Sequence, residues 1–329
     1  MEAAKQNIRL QKWVAGVSVA LLLVKLFAYY LTNSVSVLTD ALESIVNVVA
    51  GFFGLYSLQL SAKPKDVEHP YGHGKIEFIS AAVEGVMISV AAVFIFFESV
   101  RNIITPVPLR QLDTGILLIA GAGIINLLLG LWCTRTGKKN NSLALQASGK
   151  HLLSDTYTTA GILAGLVLLF LTGIPWLDSA VAILFGCIIF YTGFRIVRAS
   201  VAGIMDERDN ELLRKMIVAL DGERSKNWVD IHNIRIIKYG STLHIDCHLT
   251  VPWYLNVHEA HEEIDKLGNL VRKEFGNAIE LFVHSDGCLP ISCAICIKDD
   301  CPVRHHPFQR RIKWTVQNME RDEKHQVDT

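Results

Sequence analysis

The chain has 329 residues, of which 50% are hydrophobic and 19% are charged, and its mean hydropathy is +0.31. It is too apolar for an ordinary soluble enzyme, and its C-terminal part is too charged to lie wholly within a membrane. Because the formal net charge is zero, the chain has no general attraction to nucleic acid, and no nucleic-acid partner is expected.

The N-terminal part contains six apolar runs that are long enough to cross a lipid bilayer, which takes about 20 residues. They cover residues 13–31, 35–60, 78–100, 116–133, 143–171 and 176–196. We therefore predict an all-α bundle of six transmembrane helices within residues 1–201.

Basic residues are concentrated in the segments that would share one side of this bundle. That side carries Lys5, Arg9, Lys12, Lys63, Lys65, Lys75, Arg135, Lys138, Lys139, Lys150, Arg195 and Arg198. The opposite side has only Arg101 and Arg110. By the positive-inside rule, both termini lie in the cytoplasm. We expect a multi-pass protein of a prokaryotic inner (cytoplasmic) membrane.

The composition becomes polar near residue 202. Apolar residues recur at helical spacing between 212 and 220, and residues 229–238 and 243–251 alternate on either side of the turn at 239–241. A second helical pattern at 257–275 and a short strand at 278–283 follow. The order of one helix, two strands, one helix and one strand predicts an α+β domain over residues 202–287, with its helices on one face of a sheet.

His151 and Asp155 lie four residues apart in the fifth run, so a helix places them on one face, one turn apart. Ionisable side chains at membrane depth are costly, rarely face lipid and usually mark an ion path. The alternative is a polar pair that is hydrogen-bonded to a neighbouring helix.

The second run also carries polar side chains on one helical stripe, namely Asp40, Glu43, Ser44 and Asn47. Such a stripe is ordinary on a surface helix but not in a span of Val, Ile, Leu, Phe and Gly. Placed against His151 and Asp155, it offers the oxygen ligands that complete fourfold coordination of a borderline divalent ion.

Together with the Asp-Val-Glu-His-Pro-Tyr-Gly-His-Gly-Lys loop at 66–75, these motifs resemble those of the cation diffusion facilitator family, in the same order, over residues 10–287. The resemblance implies a homodimeric antiporter that exchanges divalent metal ions for protons across the lipid bilayer. It also implies that the cytoplasmic domain is ferredoxin-like.

The resemblance implies a transport site that combines the fifth span with two positions one turn apart on the second. Counting back from the Gly-His-Gly-Lys sequence at 72–75 gives the ligands Glu43, Asn47, His151 and Asp155. The alternative register uses Asp40 and Ser44.

Many zinc-transporting members of the family have two Asp residues where this chain has Glu43 and Asn47. Because the amide of Asn47 is uncharged, only the carboxylates of Glu43 and Asp155 would balance the charge of a divalent ion. Hard oxygen ligands favour iron or manganese, while His151 keeps zinc and cobalt plausible. His151 and the carboxylates are also the groups that would take protons when the metal leaves.

The resemblance implies two further metal sites and one ion pair. A cytoplasmic loop site would use Asp66, His69 and His73, although a solvated loop without metal is the plainer alternative. The site in the soluble domain would use His232, His248, His261, His284 and Asp286. Lys75 and Asp206 resemble the family's ion pair between the third span and the soluble domain.

Residues 288–329 depart from the family pattern. Four cysteines follow one another at spacings typical of a thiolate metal site for zinc or an iron–sulfur centre, namely Cys288, Cys293, Cys296 and Cys301. The alternative is a reduced, metal-free tail, since cytosolic disulfides are rare. We expect a metal-capturing or regulatory extension whose last part, from residue 310, is a polar helix or a frayed end.

Two other function classes compete with transport. A membrane-bound metal sensor without transport would also bind metal in its soluble domain, but it would not need the polar residues of the second and fifth spans. A membrane enzyme would need a nucleophile motif near His151 and Asp155, and the sequence has none.

Overall fold

The structure is a computed structural model that describes residues 2–61, 63–139, 143–239, 242–276 and 278–327. The chain divides into two compact units. The first consists of Met1–Gln59 and Ile79–Val201, and the second of Leu60–Phe78 and Ala202–Thr329. The segment that follows residue 287 therefore belongs to the same unit as the rest of the soluble domain.

The six predicted spans are confirmed as helices that are long and apolar enough to cross a membrane. They are α1 (Glu2–Thr32), α2 (Val35–Ser61), α3 (Ile76–Ile104), α4 (Leu112–Lys139), α5 (Leu143–Thr172) and α6 (Trp176–Ile204). Several are longer than the apolar runs that predicted them. Helical hydrogen bonding continues into polar ends, as it does in α1 back to Glu2 and in α4 on to Lys139.

A buried carboxylate fixes the start of α2. Asp178, at the beginning of α6, is 1% exposed. It accepts hydrogen bonds from Ser34 Oγ at 2.6 Å, from the Val35 backbone N–H at 2.7 Å and from the Ser36 backbone N–H at 3.2 Å. A carboxylate satisfies the free N–H groups of a helix N-terminus and complements the helix dipole. This cap positions the polar stripe of α2 within the first unit.

Glycines allow close helix packing beside the polar groups. A Cβ added to Gly85 of α3 would lie 2.9 Å from the carbonyl oxygen of Gly193 in α6. A Cβ on Gly149 of α5 would lie 2.7 Å from the backbone nitrogen of Thr134 in α4. Small residues let membrane helices approach in this way, and the second contact holds the start of α5 close to α4.

The second unit contains the predicted α+β fold. Its elements are α7 (Asn210–Gly222), β1 (Asp230–Tyr239), β2 (Thr242–Val251), α8 (Val257–Phe275) and β3 (Ile279–Gly287). In the sheet order β1-β2-β3, β1 pairs antiparallel with β2, and β2 pairs parallel with β3. Gly240 and Ser241 of the predicted hairpin turn lie outside the described residues. The last strand runs four residues beyond its predicted end, since its pairing with β2 continues as far as Gly287.

One apolar core joins the two helices, the sheet and the C-terminal segment. Met216 of α7, Ile231 of β1, Leu249 of β2 and Leu267 of α8 are all at most 1% exposed. Trp314 and Met319 belong to the same core, Met319 at the end of the short helix α9 (Val316–Met319). The stretch from residue 310 does contain a helix, as one of the two predicted alternatives has it, but this helix is only four residues long. Residues 312–319 are packed against the core through Ile312, Trp314 and Met319, so this part of the stretch is not frayed.

Candidate metal centre

A cavity with one polar side lies between α1, α2 and α5. Asn47 Nδ2 donates a hydrogen bond to Asp155 Oδ2 at 3.0 Å, and His151 Nε2 lies 3.9 Å from the same oxygen. The cavity has a volume of about 180 Å³, most of its lining is apolar, and its polar lining comes from Ser18, Ser44, Asn47, Asn126, Ser148, His151 and Asp155. Because one water needs about 10–15 Å³ of such space, the cavity has room for an ion with part of its hydration shell.

Glu43 is half-buried on α2, one helical turn before Asn47. It does not line the cavity, but it is close enough for the charges of Asp155, Asp40 and Lys25 to act on its carboxylate. Glu43 and Asp155 thus place two carboxylates in one poorly solvated region. Two such charges need a compensating cation, since burial of an unpaired charge is costly.

Asp40 occupies a separate polar contact. Its Oδ1 accepts hydrogen bonds from Lys25 Nζ at 2.9 Å and from Thr159 Oγ1 at 2.8 Å. Lys25 Nζ also donates to Ser44 Oγ at 2.9 Å. The ammonium group of Lys25 therefore contacts both Asp40 and Ser44, the two residues of the alternative register. The contacts disfavour Asp40 as a metal ligand, because Lys25 already balances its charge.

Lys25 is the main polar residue that the sequence analysis passed over. It is 2% exposed in the C-terminal third of α1, among Leu, Val and Phe residues. The basic residues that predicted the topology lie between the spans or near their ends, so a lysine deep inside the first span did not enter that prediction. The signal was present in the sequence, since an ionisable residue at membrane depth is a functional candidate by default.

The loop before α3 forms a second cluster. Asp66 Oδ1 accepts a hydrogen bond from the His69 backbone N–H at 2.7 Å and lies 3.1 Å from His69 Nδ1, while Asp66 Oδ2 lies 3.4 Å from His73 Nε2. The backbone hydrogen bond and the nearby imidazoles lower the pKa of Asp66. Gly72 has a φ of 88°, which favours glycine and turns the chain so that His73 faces Asp66. Ligand atoms of the three side chains lie within 4.8 Å of one another.

A third cluster crosses the sheet of the second unit. His232 pairs with His248 across β1 and β2, and His248 pairs with His284 across β2 and β3. Asp286 follows His284 by two residues and therefore points to the same face of the sheet. Its carboxylate lies 3.7 Å from His232 Nε2, 3.6 Å from His248 Nδ1 and 3.7 Å from His284 Nε2.

The end of the chain lies against this cluster. Asp230 Oδ2 lies 3.2 Å from His232 Nδ1 and accepts a hydrogen bond from the His325 backbone N–H at 3.0 Å. Burial would raise the pKa of Asp230, but contacts with the two histidines hold it well below its usual range. Lys324 Nζ lies 3.8 Å from Asp286 Oδ2 and donates to the carbonyl of Gly287 at 2.9 Å. His325 thus holds Asp230 beside His232, and Lys324 places an ammonium group beside Asp286.

Two other predicted features are placed apart from the clusters. His261 lies on the exposed side of α8, 3.9 Å from Asp265, away from the other four residues of the predicted cytoplasmic site.

The predicted ion pair between Lys75 and Asp206 is present. Lys75 Nζ donates to Asp206 Oδ2 at 2.9 Å, and both side chains are about one-third exposed.

The four tail cysteines line one small cavity. It has a volume of about 40 Å³. Cys296 is buried, and Cys288, Cys293 and Cys301 are partly exposed. None of them forms a disulfide in the part of the chain that the structure describes.

Comparisons with known proteins match both units. Residues 13–205 match the cation efflux transmembrane domain, and residues 214–288 match the cytoplasmic domain of cation efflux proteins. An uncharacterized transporter of Synechocystis sp. is 34% identical over 247 residues, which cover 75% of this chain and 80% of the relative. The cation-efflux pump FieF of Cronobacter sakazakii is 28% identical over 83% of this chain and 90% of its own length. FieF of Salmonella newport is 29% identical over 82% and 89%.

Proposed function

The chain belongs to the cation diffusion facilitator family of divalent-cation efflux transporters, and we propose that it exchanges a divalent transition-metal ion for protons at the cavity between α2 and α5. The observation that carries this proposal is the contact of Asn47 with Asp155 beside His151, at the edge of a cavity with room for an ion. The proposed ligands are Asn47, His151 and Asp155, which line the cavity, and Glu43, which lies one helical turn before Asn47 and outside the lining.

The charges near the cavity support exchange over simple binding. Lys25 balances Asp40, which leaves the carboxylates of Glu43 and Asp155 for the transported ion. A divalent cation neutralises both carboxylates. When the ion leaves, protons on the carboxylates or on His151 restore the balance, because two bare charges in a dry site are unfavourable. Metal and protons therefore compete for one set of side chains.

The ligand types bear on the choice of metal. An amide oxygen and two carboxylates are hard donors that suit iron and manganese, whereas the imidazole of His151 suits zinc and cobalt as well. We propose a substrate from this group of four, and the oxygen-rich set makes iron and manganese the first metals to test.

We further propose that the loop and the sheet clusters bind metal on the cytoplasmic side of an inner-membrane homodimer. Close ligand atoms support metal binding at Asp66, His69 and His73 and at His232, His248 and Asp286. His284 lies beside the second group, 3.7 Å from Asp286. The match to the cytoplasmic domain of cation efflux proteins supports dimerisation, in which His261 of the exposed α8 surface would join a site shared by two copies. The distribution of Lys and Arg supports cytoplasmic termini.

Metal uptake into proteoliposomes tests the proposal. Wild-type protein should transport at least one of iron, manganese, zinc and cobalt, and Asp155→Asn should abolish that transport. Asp113→Asn is the matched control, since Asp113 is an exposed carboxylate at the start of α4 that does not line the cavity. If the wild-type protein binds metal but does not take it up, the result would favour the alternative function of a membrane-bound metal sensor. Uptake that survives Asp155→Asn would overturn the proposed site.

A further inference from the structure

We propose that the C-terminal extension has a metal site of its own, in which Cys288, Cys293, Cys296 and Cys301 bind a single Zn²⁺ ion through their sulfurs. This site lies outside the proposed transport cavity and its ion is not transported.

The fold brings the four thiols to the lining of one cavity from consecutive short segments, with no three of these sulfurs within 4.8 Å of one another. Cys288 directly follows β3, and its backbone N–H donates to the Val251 carbonyl at the end of β2 at 2.8 Å. Cys293 lies in a 3-10 helix, Pro290–Ala294, and Cys296 comes just after it. Cys301 follows a turn and completes the lining of the same cavity. The sheet end thus anchors one thiol, and the loop places the other three around the same cavity, so that zinc binding would draw the four sulfurs closer.

The size of the cavity favours one ion. About 40 Å³ of space exceeds the roughly 10–15 Å³ that one water needs. An iron–sulfur centre would bring several iron and sulfide atoms into the same space. Four thiolates around one small cavity suit tetrahedral zinc, which proteins hold in Cys-only structural sites.

The chain around the cavity is arranged to offset negative charge. Arg304 donates to the carbonyls of Cys293 at 2.9 Å, of Cys296 at 3.2 Å and of Lys298 at 2.6 Å. The His305 backbone N–H donates to Cys293 Sγ at 3.4 Å. Zinc with four thiolates carries two negative charges, so a guanidinium and an N–H group beside the sulfurs would stabilise it. Such outer contacts also orient the ligands.

Ordinary core packing does not account for the four cysteines. A cysteine that serves as a small apolar side chain is usually buried, yet three of these four are partly exposed. By contrast, Cys133 and Cys247 are buried in the cores of the first and second units. The partly exposed tail thiols are therefore better explained as ligands.

Cobalt titration of the reduced, full-length protein in detergent tests the site. Co²⁺ substitutes for Zn²⁺, and thiolate ligation gives a sulfur-to-cobalt charge-transfer absorption that histidine and carboxylate ligands do not. Wild-type protein should develop this absorption to a limit of one Co²⁺ per chain, and Zn²⁺ should remove it. Cys187→Ser, which alters an exposed cysteine outside the tail, should leave it unchanged. The variant with all four tail cysteines replaced by Ser should lose it.

The wild-type spectrum decides the question even if the fourfold variant fails to fold. No thiolate absorption in the wild type would overturn the proposal, and so would acid-labile sulfide in protein purified without oxygen, which indicates an iron–sulfur centre. Alkylation and mass spectrometry that found the tail cysteines paired as disulfides in reducing buffer would also overturn it. None of these readouts involves transport, so failure of the transport proposal would leave the result unaffected.

Discussion

The ammonium group of Lys25 lies 2.9 Å from Asp40 Oδ1, and each side chain is 2% exposed. Removing one partner of a buried ion pair costs about 3–5 kcal/mol, because the other charge remains buried without compensation. We therefore expect Lys25→Met to lower the free energy of unfolding by that amount. Lys25→Met combined with Asp40→Asn should recover most of the loss. Denaturant titration in detergent, followed by circular dichroism, measures both. A double variant as unstable as Lys25→Met would contradict the pairing.

Asn47→Asp should strengthen zinc binding at the cavity. The change adds a carboxylate beside Asp155, and a contact with a charged group contributes about 1.5–3 kcal/mol, or roughly tenfold to a hundredfold in affinity. Titration of the purified protein with zinc measures the change. Asn126→Asp is the control, because Asn126 lines the same cavity from α4. An equal gain in both variants would mean that the added charge acts through the general field and not as a ligand.

Lys324→Met should strengthen metal binding at the sheet cluster. The Lys324 ammonium lies 3.8 Å from Asp286 Oδ2, where it competes with a bound cation. Since partly exposed ion pairs contribute about 0–1 kcal/mol, we expect at most a gain of about fivefold. The titration uses the Asp155→Asn background, which removes the proposed transport site. Lys313→Met, at an exposed lysine of the same segment, should have no effect. A weaker site in Lys324→Met would show that the lysine supports the cluster.

Asp209 should stabilise α7 in a pH-dependent way. It caps the helix by accepting from the Leu212 backbone N–H at 2.9 Å and from the Glu211 backbone N–H at 3.0 Å, and it pairs with Lys238. These contacts lower the pKa of Asp209 in the folded protein. The stabilisation is therefore present above the ordinary carboxylate pKa and is lost as the pH falls through the lowered value.

Asp209→Ala should accelerate hydrogen exchange in α7 at neutral pH, since a lost cap costs about 1 kcal/mol. The difference from wild type should vanish at strongly acidic pH. Asp209→Ser is the control, because a hydroxyl caps without titrating and should protect α7 equally at both pH values. Protection by Asp209 that persists unchanged in acid would contradict the assignment to its carboxylate.

Patterns that depend on neighbouring residues were predictable from the sequence. Each of the six apolar runs became a helix, and strand alternation identified β1 and β2. The pairing of His248 with His284 follows the regular register of β2 and β3. The pairing of His232 with His248 does not follow from regular alternation, because it depends on a shift of register between His232 and Arg235.

Contacts between distant segments were not predictable in the same way. Nothing near Asp178 in the sequence indicates that it caps α2, since Ser34 is 144 positions away. Trp314 was read as part of a polar tail, but it enters the core and packs against the guanidinium of Arg224 at 4.1 Å. Such contacts depend on the tertiary fold and leave little local signal.

If metal and protons alternate on one set of side chains beside Asp155, entry of metal must be coupled to exit of protons. Proton flux driven by metal in sealed proteoliposomes, with an internal pH indicator and with the membrane potential clamped, measures this coupling. We predict that external metal enters and the interior becomes alkaline in the same time course, and that Asp155→Asn abolishes both signals while Asp113→Asn abolishes neither. Metal entry by the wild type with no change in internal pH would contradict the account.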